Sequence, residues 1–272
     1  SGGRNYRLQS TGTSESAGLG KFSIYDTGAS SDRFVIDTTG NVGLASTNPT
    51  ARLNIGAATT SAASSAPLKI NSGGTGNLLV TPEAGAFEYD GAAAYFTPDT
   101  TLGRGYIPST QTFRLTAAGG AIGNAITNFF GTNSNIPIVA NAFYEIDIYM
   151  LATRGSTGGP ATITLTNSAA PTLMFVDYEQ SPLTGVGAVG TGVTYFRATA
   201  TTTTAGYATT TGTLTASVNH YFRYKLFLQN GTGTSLKIQM TAGTANNTMT
   251  PQAGSVWFCR RLPGSNTGTF AA

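Results

Sequence analysis

Charge is what this 272-residue sequence has least of: only 10% of it is Asp, Glu, Lys or Arg, against about a quarter in ordinary soluble domains. A single cysteine, Cys259, excludes an intrachain disulfide and a Cys-rich zinc site. A single histidine, His220, excludes a two-His metal site within one chain. Its ordinary reading is a side chain packed at the start of a strand, although a threefold axis could gather three copies of it. No apolar run reaches the roughly 18 residues that a membrane-spanning helix needs, so membrane insertion is not expected. The opening Ser1-Gly2-Gly3-Arg4 carries neither an initiator Met nor a signal-peptide pattern, which reads as a fragment or a processed product. The helix formers Glu, Lys, Gln and Met are scarce, so helices should be short or absent.

What remains is rich in Gly (35 residues), Thr, Ser, Ala and Asn, with 12 Tyr and 14 Phe spread through alternating segments. Disordered chains lack aromatics and rely on net charge, so order is expected. β-branched and aromatic residues dominate the periodic stretches, which points to an all-β fold. Strand edges with few charges invite aggregation unless they are closed, packed in a sandwich or covered by oligomerisation; oligomerisation suits this chain best. The formal net charge is +3, with 7 basic and 8 acidic residues in 1–107 against 8 and 4 in 108–272. The second part is mildly basic, but no basic run interleaves with aromatics, which argues against nucleic-acid binding. Sequons at Asn230 and Asn246 have meaning only in a secretory pathway.

Along the chain, residues 1–56 read as short strands at Lys21 to Asp26, Arg33 to Asp37, Val42 to Leu44 and Ala51 to Ile55, parted by Gly/Ser/Thr turns. Each is too thin to enclose a core, so this segment should be unstable in isolation. Residues 57–107 open with a tract containing nothing larger than Thr, a linker or thin neck. Leu68, Ile70, Leu79, Phe87, Tyr89, Tyr95 and Phe96 then suggest a small β-module. In 108–272, Tyr144, Ile146, Ile148 and Met150 alternate with Phe143, Glu145, Asp147 and Tyr149. Phe222, Tyr224, Leu226 and Leu228 likewise oppose Arg223 and Lys225, and Leu236, Ile238 and Met240 bracket Lys237. Roughly eight strands suit a jelly-roll-like β-sandwich head. The acids Glu145 and Asp147 could meet Arg223, Lys225 and Lys237 across strands of one sheet or between subunits, and Arg260 and Arg261 face the same choice.

No catalytic constellation emerges. A Ser-His-Asp triad would have to use His220, beside Tyr221 and away from any Gly-x-Ser-x-Gly elbow. Gly20-Lys21 is followed by Phe22 where a phosphate loop needs a hydroxyl. A glycan-cleaving carboxylate pair could draw on Asp177 and Glu179, or on Glu145 and Asp147, but solvated strand-face acids are the plainer reading. A binding role asks less: Tyr178, Glu179, Gln180, Tyr195 and Tyr207, placed on the expected loops Tyr178 to Val193 and Thr199 to Tyr207, could stack on sugars and hydrogen-bond them. The same tyrosines could equally be core residues with a wet hydroxyl. No enzymatic activity, cofactor or metal is expected.

One stretch carries a likeness. Arg33-Phe34-Val35-Ile36-Asp37-Thr38-Thr39-Gly40-Asn41-Val42-Gly43-Leu44, followed by Asn48-Pro49-Thr50-Ala51-Arg52-Leu53-Asn54-Ile55, sets short β-rich runs around a Gly-Asn turn and a Pro break. It resembles the shaft repeats of bacteriophage tail fibres, especially those of marine phages, where Ile-Asp is followed by Ser/Thr-x-Gly-Asn-Val-Gly, a Pro loop and a Leu-x-Val/Ile strand. Those repeats usually continue Gly-Ile-Gly-Thr, whereas this chain has Gly43-Leu44-Ala45-Ser46. Ala66 to Thr97 is similar to a segment that follows such repeats. The resemblance implies an intertwined homotrimeric β-shaft whose core holds Phe22, Ile24, Phe34, Ile36, Val42, Leu53 and Ile55. It further implies a virion tail protein, assembled in the host cytoplasm, that contacts tail or baseplate proteins and adsorbs to host surface polysaccharide. A capsid fibre or decoration protein is the alternative, and a glycan-degrading tailspike a third.

Overall fold

The computed structural model describes residues 3–56, 66–71, 78–91, 93–99, 103–182, 196–202, 204–211, 213–243 and 247–263. The fold is all-β, with no α-helix among the described residues. The chain divides into two compact units, Ser1–Asn71 and Ser72–Ala272.

The first unit is one five-stranded sheet of β1 (Tyr6–Ser10), β2 (Phe22–Asp26), β3 (Ser31–Ile36), β4 (Val42–Leu44) and β5 (Leu53–Ile55), in sequence order. The first three pairings are antiparallel and the last, β4 with β5, is parallel. Asp26 pins the β2 to β3 turn: its buried carboxylate accepts from Arg33 (2.8 Å), Arg4 (2.6 Å) and the Gly28 and Ala29 N–H groups. The Arg33 guanidinium, helped by Ala29 and Arg4, holds its pKa down at about 2. Asp37 closes the next turn by accepting the Thr39 and Asn41 N–H groups, with Gly40 left-handed between them (φ +81°). A Cβ at Gly43 would lie 2.1 Å from the Ser46 carbonyl oxygen, so that position admits no side chain.

The second unit begins with a three-stranded antiparallel sheet, β6 (Phe87–Tyr89), β7 (Ala94–Asp99) and β8 (Gly103–Ile107). Buried Tyr95 donates to Asp90 (3.0 Å), and Arg104 pairs with Glu88 (2.7 Å). Twelve further strands follow: β9 (Thr110–Arg114), β10 (Thr127–Asn128), β11 (Asn135–Pro137), β12 (Phe143–Arg154), β13 (Thr162–Asn167), β14 (Leu173–Pro182), β15 (Phe196–Thr202), β16 (Gly206–Thr210), β17 (Asn219–Gln229), β18 (Ser235–Thr241), β19 (Met249–Pro251) and β20 (Val256–Leu262). They form a seven-stranded sheet, β15-β14-β17-β12-β20-β9 with β19 also on β12, and a five-stranded sheet, β10-β18-β13-β16 with β11 also on β18.

The two sheets share one core. Ile146, Ile148, Met150, Val176, Phe222, Tyr224 and Leu226 come from the first, and Ile163, Leu165, Leu236, Ile238 and Met240 from the second. Strand periodicity accounts for this: every expected inward residue of β12, β17 and β18 is buried, and the intervening ones are not. Tyr106 at the end of β8 donates to the Arg261 carbonyl on β20, tying the small sheet to the larger one.

Ala45 sits at φ +52°. A Cβ in the left-handed region is strained. Ala45→Gly is therefore expected to raise the stability of the first unit by about 1 kcal/mol after glycine's larger entropy loss is subtracted. Chemical denaturation followed by far-UV circular dichroism checks this, and an unchanged or lowered midpoint contradicts it.

Candidate functional site

The seven residues expected to share a shaft core are brought together on one face. Register places Phe22 opposite Ile36, Ile24 opposite Phe34, Ile36 opposite Val42 and Val42 opposite Leu53. Ile55 lies opposite Leu44, which in turn faces Phe34. Leu8, opposite Ile24, extends the same face onto β1. Nine apolar side chains thus lie on one side of the sheet, and none of them is buried: Phe22 is 42% and Leu53 56% exposed. The buried positions Ser23, Val35 and Gly43 belong to the opposite side, and Thr11 and Ala17, between β1 and β2, are buried as well. The sequence reading passed over Leu8 and Leu44, although the alternation Tyr6, Leu8 against Arg7, Gln9 carried the signal for the first.

The five residues considered for ligand contact do not form one surface. Strand β14 runs on to Pro182, so Tyr178, Glu179 and Gln180 lie within a strand and not on a loop. Tyr178 is 0% exposed, its ring 4.7 Å from that of Tyr224 and its hydroxyl donating to buried Gln180 (3.0 Å). The physical reason is period two: Met174, Val176, Tyr178 and Gln180 all point into the core. Tyr178 and Gln180 are therefore core residues, and only Glu179 of the three faces outward. Tyr207, half-buried, packs against the core from β16. Tyr195 lies outside the described residues.

The charged residues of the seven-stranded sheet pair across its strands. Glu145 holds Lys225 (2.9 Å) and Arg260 (3.3 Å), while Glu179 stands 3.8 Å from Arg223. Lys225 is raised in pKa by Glu145. Asp147 and Asp177 flank Lys225 in register from either side. Lys237 belongs to the other sheet and plays no part in this network. These arrangements resolve the cross-strand question within one sheet for Glu145, Lys225 and Arg260.

His220 is buried, with Nε2 3.0 Å from the Thr215 carbonyl oxygen, and burial lowers its pKa, favouring the neutral ring. Cys259 is buried and its thiol is pushed up to about 12, which removes it from nucleophilic chemistry near neutral pH. No group of three or more His, Cys, Asp or Glu side chains converges among the described residues. No helix among them is long and apolar enough to cross a membrane. Neither protein-family models nor curated proteins match the sequence.

The two neighbours Tyr178 and Glu179 separate core from surface within one strand. Tyr178→Ala is expected to cost about 3–5 kcal/mol through lost burial and the cavity left behind. Glu179→Ala should stay within about 0.5 kcal/mol, because its pair is solvent-facing and loose. Denaturation midpoints of the two variants check this, and equal effects would contradict the assigned facing.

Proposed function

We propose that this chain is a segment of a homotrimeric bacteriophage tail fibre, a structural virion protein that brings the particle to a bacterial surface glycan through its C-terminal head. The observation that carries the reading is the uncovered apolar face of the N-terminal sheet. Nine aliphatic and aromatic side chains on a five-stranded sheet are too many to leave in water, and further copies of the same sheet would bury them as a shared axial core. That three copies meet, and that they form a shaft, follows from the likeness of Arg33 to Ile55 to tail-fibre repeats.

The strand order of the second unit supports a jelly-roll head. Counting β9, β10 with β11, β12, β13, β16, β17, β18 and β20 as eight successive strands, one sheet runs 1-8-3-6 and the other 2-7-4-5. The hairpin of β14 and β15 is inserted between the fourth and fifth and widens the first sheet beside β17. Jelly rolls recur in viral and lectin domains. The outer face of the five-stranded sheet is rich in hydroxyls and amides, with Thr162, Thr164, Thr166, Ser235, Gln239 and Thr241 turned outward around Lys237. Such a surface offers donors and acceptors to a polyol without any titrating group, and three copies would multiply weak contacts by avidity.

Light scattering of the purified chain is expected to give close to three times 27.9 kDa. The trimer should be retained on at least one member of a panel of immobilised bacterial surface polysaccharides without shortening it. A monomer at working concentration contradicts the fibre. A trimer that binds whole bacteria but none of their polysaccharides contradicts the glycan assignment, and steady loss of polymer length would make the chain a tailspike.

A further inference from the structure

The two outer faces of the head differ in kind. Against the hydroxyl-rich face of the five-stranded sheet stands the outer face of the seven-stranded sheet, where aromatic rings run across three adjacent strands. Tyr221 on β17, Tyr149 on β12 and Phe258 on β20 form a stripe with centroids 6.3 and 6.2 Å apart. Phe175 and Phe227 form a second pair at 6.4 Å. The same face carries every acidic residue of the sequence beyond residue 107, Glu145, Asp147, Asp177 and Glu179, together with Arg223, Lys225 and Arg260.

We propose that this face packs against other copies of the chain and makes the head a trimer in its own right. The inference rests on the trimer proposed from the N-terminal sheet, which would hold three heads at high effective concentration. Charge selects the occupant. The face is nearly balanced, and its signs alternate along register rows, as in Asp177, Lys225, Asp147. A partner of one sign would meet repulsion from about half of these groups, whereas a rotated copy sets acids against bases. The area is modest: outward positions on β14, β17, β12 and β20 each occupy about 33 Å2 of sheet and together on the order of 650 Å2, which a trimer divides between two neighbours, so the contact depends on the effective concentration that the N-terminal trimer provides. Interfaces favour Tyr, Phe and Arg over isolated Lys and Glu, and the stripe and its Arg223, 5.6 Å over the Tyr149 ring, have that character.

Hydroxyl-radical footprinting of the full chain, with its mass measured in the same sample, tests this. In the trimer, Tyr149, Tyr221 and Phe258 should oxidise at least tenfold more slowly than exposed Ile126 after correction for intrinsic reactivity. Phe258→Arg should raise the concentration at which the trimer dissociates by at least tenfold, while Thr164→Arg on the other sheet leaves it unchanged. If Phe258→Arg fails to fold, the footprint of the unaltered chain still decides. A trimer whose stripe oxidises as fast as Ile126 overturns the head interface and leaves the shaft trimer standing. A monomer overturns both. Protection that arises only when a bacterial polysaccharide is added makes a glycan the occupant and overturns the proposal.

Discussion

A β-sheet has two faces, and burying one of them does nothing for the other. In residues 6–55 the period-two pattern puts nine apolar side chains on the same side of five short strands. The buried residues Ser23, Val35 and Gly43 lie on the opposite side. Burial is worth about 25 cal/mol per Å2 of apolar surface, so the uncovered side is where the largest unspent stabilisation of this unit lies. The polar devices of the first unit, Asp26 with its arginines and the Asp37 turn, fix register and turn geometry but cannot substitute for a core.

The second unit has the opposite economy. Its two sheets face each other, and side chains from β12, β14 and β17 meet those of β13 and β18 in one closed core. The paired charges lie on the outer face of the seven-stranded sheet, and hydroxyls and amides surround Lys237 on the outer face of the five-stranded one. The second unit therefore has a core made of its own residues and presents two chemically distinct outer faces. On the proposed reading, a fibre needs that division: cohesion along its axis and adhesion at its outside.

Much of the fold was legible because strand alternation is written directly in residue order. Tyr144 to Met150, Phe222 to Leu228 and Leu236 to Met240 all fell inward as their spacing implied. The seven apolar residues that the resemblance to shaft repeats grouped lie on one side of the first sheet, where the same alternation places them. Legibility failed where an inward position is polar. Gln180 and Tyr178 satisfy each other inside the core, so Tyr178-Glu179-Gln180 read as the start of a loop when the strand continues through them to Pro182. It failed again for Arg154, fully buried at the end of β12, which donates to the carbonyls of Thr157 and Ala242. Backbone acceptors leave no trace in side-chain pattern, and the second lies 88 residues away.

The most direct test of the shared-core account is amide hydrogen exchange of the intact chain at two concentrations separated by about a hundredfold dilution through its dissociation range. The account predicts that amides of Phe22–Asp26 and Ser31–Ile36 lose protection on dilution, while those of the sandwich strands Phe143–Arg154 and Ser235–Thr241 keep theirs. Protection in the N-terminal sheet that is independent of concentration, in a chain of monomeric mass, would show that one copy suffices and would contradict it.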